Sequence, residues 1–167
     1  NGLLPLRILV VDDHEEMRSL LCEVLAEQGY PVTVAGDGQQ ALTILTEQSF
    51  ELIVSDIRMP SMDGVTLLER VRDRQGFTPF VVLITAFGDI NDTVRLIDRG
   101  AYDYLIKPFK TEQLLVTVKR VERELALRRR VAELEERLEP SAAHGELVGR
   151  SDAMARVRSL IDRIAPA

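Results

Sequence analysis

The sequence predicts a doubly wound α/β fold, a (βα)5 unit with a parallel five-stranded sheet, followed by a long helix. Three observations carry this. Five short β-type runs recur between residues 7 and 106, four of them apolar at nearly every position, as parallel strands covered on both faces require. Helical apolar spacing separates successive runs. Strand and helix then alternate throughout, and the handedness of βαβ crossovers turns that alternation into an open, doubly wound sheet.

The strands are expected at Arg7–Val11, Pro31–Ala35, Glu51–Ser55, Phe80–Ile84 and Tyr102–Ile106. Met17, Leu20, Leu21, Val24 and Leu25 form the buried stripe of the first helix, which Gly29 and Pro31 end. Ala41, Leu42, Ile44 and Leu45 mark the second helix and Val65, Leu68 and Val71 the third. Ile90, Val94 and Ile97 mark the fourth, which stops at Gly100.

Thr111 to Glu139 contains no Gly or Pro and is rich in Glu, Arg, Leu and Ala, so one helix is expected there. Leu114, Val118, Val121 and Leu125 make a first stripe, expected to pack on the parent domain. Leu127, Val131, Leu134 and Leu138 make a second, out of register with the first, which reads as a dimer seam of about two heptads. The arginines at 128–130 precede Glu133, Glu135, Glu136 and Glu139 and read as a solvated face.

The expected organisation is therefore a domain over 1–125, a linker helix over 111–139 that overlaps its last helix, and a flexible linker over 140–150. The opening of a further domain follows at 151–167, where Ser151 is a candidate N-cap before Met154, Val157, Leu160, Ile161 and Ile164.

Charge divides the chain in the same way. Residues 1–110 carry 10 basic and 17 acidic side chains, and residues 111–167 carry 11 and 10. A net charge of -6 argues against sequence-blind nucleic-acid binding by this chain alone. No stretch has the length of a membrane span and no export signal is recognisable, so a cytoplasmic protein without membrane contact is expected. The single Cys22, in an apolar helical segment, is expected to be a reduced packing residue.

Four strands stop at polar residues capable of chemistry: Asp12-Asp13, Asp56, Thr85 and Lys107. In an open parallel sheet the carboxyl ends converge on the ligand crevice. Three carboxylates gathered there repel one another unless a cation neutralises them, and Mg2+, which takes one or two carboxylates and keeps several waters, suits a site with few other ligands. Lys107 adds a point charge and Thr85 a hydroxyl for phosphoryl oxygens. A carboxylate, a divalent ion, a lysine and a hydroxyl are the parts that place a phosphoryl group on an aspartate, and an anionic nucleophile needs no separate base. Asp56 is the candidate nucleophile and Asp12 and Asp13 the candidate metal-holding pair. His14 reads as a surface histidine at a helix start, with no Cys or second His near it to make a zinc site.

VVDD at 10–13, DIRMPSMDG at 56–64, TAFGD at 85–89 and YDYLIKPF at 102–109 resemble the receiver domain of bacterial two-component response regulators, over about residues 6–125. The resemblance implies a flavodoxin-like receiver in which Asp56 accepts a phosphoryl group from a histidine kinase. It implies Mg2+ held by Asp13, Asp56 and the backbone carbonyl of Arg58, with Asp12 acting largely through water. Thr85 and Lys107 would hold phosphoryl oxygens, Tyr104 would be the switch aromatic, and Lys107-Pro108 would be a cis peptide.

Residues 146–167 look like the opening of the AAA+ domain of NtrC-type, sigma-54-dependent transcription activators, and the helix before them resembles their linker. A homodimer is then expected, with contacts to sigma-54 RNA polymerase and DNA made by regions absent from this chain. No G-x-x-x-x-G-K-[ST] phosphate loop occurs, so no ATPase activity is expected from these residues. A flavodoxin-like FMN carrier is disfavoured by the four carboxylates in residues 12–16, which repel a phosphate without a metal. An aspartate-nucleophile phosphohydrolase resembling the haloacid dehalogenases would need a second Asp where Arg58 stands. A receiver serving only as a dimerisation scaffold would not need the acidic set.

Overall fold

The structure, a computed structural model, describes residues 6–74, 76, 78–86 and 90–143. Ten elements alternate in sequence: β1 (Ile8–Val11), α1 (Glu15–Glu27), β2 (Val32–Ala35), α2 (Gly38–Glu47), β3 (Leu52–Asp56), α3 (Gly64–Arg72), β4 (Phe80–Thr85), α4 (Ile90–Asp98), β5 (Asp103–Ile106) and α5 (Thr111–Ala143). All five strands are parallel, in the order β2-β1-β3-β4-β5. The order reverses between β1 and β3, so the crevice at a doubly wound sheet's switch point opens at the ends of those two strands.

Leu9 and Val11 of β1, Ile53 of β3 and Val81 and Leu83 of β4 share one core with Ala41, Leu45, Leu67, Leu68, Val71 and Leu96 of α2, α3 and α4. Successive strand side chains point to opposite faces. The intervening Ile8, Val10, Leu52, Val54, Val82 and Ile84 are equally buried, which leaves Leu21 and Leu25 of α1 and Leu114, Val118 and Val121 of α5 to cover the second face. Two covered faces explain why β1, β3 and β4 are continuous apolar runs. β2, at the edge, is buried throughout only at Ala35.

Two helices differ from their expected faces. In α1 the buried residues are Leu21 and Leu25, whereas Leu20 is exposed. In α4 Val94 and Ile97 are exposed and the buried positions are Thr93 and Leu96. Both sets fit a 3.6-residue period, and the hydroxyl of Thr93 hid the correct one from a pattern based on apolar residues.

Two compact units divide near residue 122. In the first, α5 buries Leu114, Val118 and Val121. In the second, Leu125 is also buried, but Leu127, Val131, Leu134 and Leu138 are all exposed, and Glu124 and Arg128 form an (i, i+4) ion pair at 3.5 Å in the favourable order. The helix continues through Pro140 to Ala143, four residues beyond its expected end. A proline removes one i→i−4 hydrogen bond and strains an interior turn, but a last turn has few further bonds to lose. The rest of the expected linker, with His144, and the expected helix after Ser151 lie outside the described residues.

Candidate functional site

Four of the five strand ends deliver a polar side chain to the crevice. β1 passes directly into Asp12, whose N–H donates to the Ala35 carbonyl at 3.1 Å and whose side chain is completely buried. β3 ends in Asp56, also buried. β4 ends in Thr85, and the Lys107 N–H just after β5 donates to the Thr85 carbonyl at 2.7 Å, holding those two ends together. The Lys107-Pro108 peptide is cis. Lys107 Nζ reaches Asp56 Oδ2 at 3.4 Å, and Asp56 Oδ1 accepts the Ile57 N–H at 3.0 Å.

The turn after β3 aims Asp56. Asp63 caps α3 by accepting the Thr66 N–H at 2.7 Å, and the Gly64 N–H donates to the Ile57 carbonyl at 2.8 Å. A Cβ on Gly64 would collide with the Asp56 carbonyl oxygen and press on Ile57 Cα. Only glycine fits this close approach to the end of β3. The D-G pair in the motif is therefore a cap followed by a backbone contact.

Across the crevice, Asp12 Oδ1 accepts the His14 N–H at 2.8 Å and lies 3.3 Å from His14 Nδ1, which is 3.1 Å from Asp13 Oδ1. The Asp12 backbone carbonyl accepts from Arg18 Nη1 at 2.9 Å. Asp12 Oδ2 is buried with no hydrogen-bond partner among the described residues. One ligand atom from each of Asp12, Asp13, His14 and Asp56 falls within 4.8 Å of the others.

Burial pushes the Asp56 carboxyl above its ordinary pKa; Lys107 opposes this and the Asp12 carboxylate adds to it. The donor set is all carboxylate apart from one imidazole, it encloses an orphaned buried oxygen, and its anions raise one another's cost. A divalent cation relieves all three conditions, so these residues suit one.

The structure thus brings together Asp12, Asp13, Asp56, Thr85 and Lys107, the set read from the strand ends. Asp56, Arg58, Thr85 and Lys107 line one cavity of about 460 Å³, to which Arg95 of α4 and Arg99 just after it contribute. Tyr104, on β5, packs partly buried against the core. Leu127, Val131, Leu134 and Leu138, expected to form a seam, are exposed and lie apart from this crevice in sequence, on the second half of α5. Sequence reasoning placed His14 correctly at a helix start, since it is the N-cap of α1, but did not see that its ring joins the acidic pair. The available signal was its position immediately after Asp12-Asp13. Arg95 and Arg99 were also missed, because exposed arginines one helical turn apart look like any solvated face.

A parallel sheet of this order with an acidic crevice, a lysine and a hydroxyl at its switch point defines a receiver-type signalling domain. The family model for the response regulator receiver domain matches residues 8–119, and the chain belongs to that family. It is similar to the nitrogen assimilation regulatory protein NtrX of Azorhizobium caulinodans, with 35% identity over 95% of this chain and 34% of the relative. It also resembles the C4-dicarboxylate transport transcriptional regulatory protein DctD of Pseudomonas aeruginosa (37% identity, 95% of this chain, 34% of the relative). Regulatory protein AtoC of Escherichia coli is 34% identical over 89% of this chain and 32% of its own length. These three are NtrC-type response regulators. The chain spans about a third of the length of each.

Among solved structures, NtrX from Brucella abortus matches 98% of this chain and 35% of its own at a TM-score of 0.74 and 33% identity. The chemotaxis response regulator CheY4 of Vibrio cholerae matches 71% of this chain and 99% of its own at 0.66 and 32%. No helix among the described residues is long and apolar enough to cross a membrane.

Proposed function

We propose that Asp56 accepts a phosphoryl group from the phosphohistidine of a sensor kinase in a Mg2+-dependent reaction. The proposal extends to a switch in the association of two copies of this chain that controls an AAA+, sigma-54-dependent activator. The observation that carries it is the convergence of Asp12, Asp13 and Asp56 with Lys107 3.4 Å from the acceptor carboxylate. An Asp56 carboxylate oxygen bonds phosphorus while the P–N bond of the donor breaks and its electron pair returns to the imidazole. Lys107 is placed to hold a phosphoryl oxygen and leave its pairing with Asp56 as it does so. Thr85, at the neighbouring strand end, donates its hydroxyl to another oxygen, and Tyr104 follows the movement of Thr85.

Asp12, Asp13, Asp56 and the Arg58 carbonyl would hold the ion, and bound Mg2+ supplies charge neutralisation of the carboxylates and phosphoryl oxygens. Catalysis is alignment and electrostatics, which explains the absence of a general base from the set.

The output surface has two parts. Leu127, Val131, Leu134 and Leu138 are exposed at seam spacing, and Val94, Ile97 and Ile106 are exposed on α4 and β5 beside the switch residues. About two heptads are marginal as a free-standing coiled coil, so a dimer draws area from the receiver as well. Moving a population from 1:99 to 99:1 takes about 5.5 kcal/mol, beyond the roughly 1 kcal/mol of one hydrogen bond, so repacking of an interface carries the switch. The similarity to NtrX, DctD and AtoC supports the transcriptional setting.

Sedimentation of the whole chain with and without beryllofluoride and Mg2+ tests the reading. A dimer whose association constant or scattering profile changes on adding both is expected. A monomer at high concentration in both states refutes the dimer, and an unchanged dimer refutes the coupling.

A further inference from the structure

His14 is anchored on the acidic pair from two directions. Its N–H donates to Asp12 Oδ1 at 2.8 Å, and its ring nitrogen Nδ1 stands 3.3 Å from that oxygen and 3.1 Å from Asp13 Oδ1. Neighbouring ligands at right angles on an ion with bonds of about 2.1 Å are about 3.0 Å apart, and on a tetrahedral ion about 3.4 Å. The imidazole nitrogen therefore already has the separation from both carboxylates that neighbours in one coordination shell have.

The ligand atoms of all four residues lie within 4.8 Å of one another, against about 4.2 Å for opposite corners of an octahedron with such bonds. Small side-chain adjustments close that gap. Asp12 Oδ2, completely buried and unpartnered among the described residues, leaves the same carboxylate with an acceptor that a bound cation would satisfy. A hydrogen bond from the ring to the carboxylates accounts for the two short distances but leaves that oxygen orphaned.

Resting on the metal reading above, we propose that His14 Nδ1 is itself a ligand of the ion held by the acidic cluster. The site is then a mixed nitrogen–oxygen one that selects first-row transition ions such as Co2+ and Mn2+ relative to Mg2+. Mg2+ prefers oxygen donors, whereas imidazole suits transition ions, so one nitrogen tilts selectivity without changing the carboxylate frame. Receiver chemistry at Asp56 would proceed with either kind of ion, and the identity of the bound metal would follow from His14.

The test titrates the full chain with Co2+ and with Mg2+ at neutral pH by calorimetry, for wild type, His14→Ala and Asp13→Asn. His14 makes no side-chain cap bond to α1, so His14→Ala is expected to keep the fold, which circular dichroism checks. His14→Ala is expected to lose about tenfold or more in Co2+ affinity while Mg2+ affinity stays unchanged. Pulsed EPR of the Mn2+-loaded wild type is expected to show nitrogen coupling that His14→Ala lacks. Equal effects on both ions, no effect on either, or no nitrogen coupling overturns the proposal. If Asp13→Asn weakens both ions while His14→Ala weakens neither, His14 alone has been misread. If Asp13→Asn weakens neither, the acidic metal site fails and this proposal falls with it.

Discussion

Replacing Asp12 by Asn is expected to make the metal-free protein more stable, although it alters a completely buried residue. Asn keeps an Oδ1 to accept the His14 N–H, so the start of α1 is retained. With oxygens no more than 4.8 Å apart and an effective dielectric of about 20, the two carboxylates repel by about 3.5 kcal/mol or more. The 3.4 Å contact of Lys107 with Asp56 offsets that by about 4.9 kcal/mol of attraction, and burial then decides the direction in which Asp56 shifts. Removing the Asp12 charge deletes the repulsion and keeps the attraction. Its cost is a buried amide N–H2 with an imperfect partner, about 1–3 kcal/mol.

The balance is a gain of about 0.5–2.5 kcal/mol, or several degrees in Tm. Thermal unfolding in chelator measures it. Excess Mg2+ should reverse the ranking, since at 100 times its Kd a ligand adds about 2.7 kcal/mol to a protein that binds it, and the variant binds it less well. A variant less stable than wild type in chelator, or one with an undiminished response to Mg2+, would refute the electrostatic reasoning.

Three further outcomes are expected. Gly64→Ala should lose about 1–3 kcal/mol in urea unfolding and react more slowly at Asp56, because its Cβ meets the Asp56 carbonyl. Burial tends to raise the Glu51 pKa, but the Arg7 side chain, at 2.8 Å from Oε1, and the Arg7 N–H, at 2.7 Å from Oε2, outweigh it and hold the carboxyl below its ordinary value. Its contribution is therefore fully present above the unfolded-state pKa of about 4.3 and lost as pH falls through the depressed folded value; Glu51→Gln should flatten acid unfolding in that window. Leu134→Asp, at an exposed position, should leave receiver stability within about 0.5 kcal/mol of wild type while weakening self-association measured by sedimentation.

The strands were legible because two-sided burial leaves an unbroken apolar run, and the site because each run stops at one polar residue. Asp12, Asp56, Thr85 and Lys107 could be placed in one crevice from topology alone. Helix faces were less legible. The pair Thr93 and Leu96 competes with Val94 and Ile97 on equal periodicity, and only tertiary packing chooses between them. His14 was legible in position but not in role, because a ring's reach to Asp12 and Asp13 depends on the backbone bend at the N-cap, where φ is -90° and ψ is 115°. The change from buried to exposed leucines along α5 falls at the register break between Leu125 and Leu127 that the sequence displays.

Phosphoryl acceptance at Asp56 is the claim on which the rest depends, and intact-protein mass spectrometry after incubation with acetyl phosphate measures it directly. One phosphoryl group per chain is expected with Mg2+, none with chelator, and none on Asp56→Asn under either condition. Modification of Asp56→Asn to the wild-type extent, or of wild type without any divalent ion, would contradict the account.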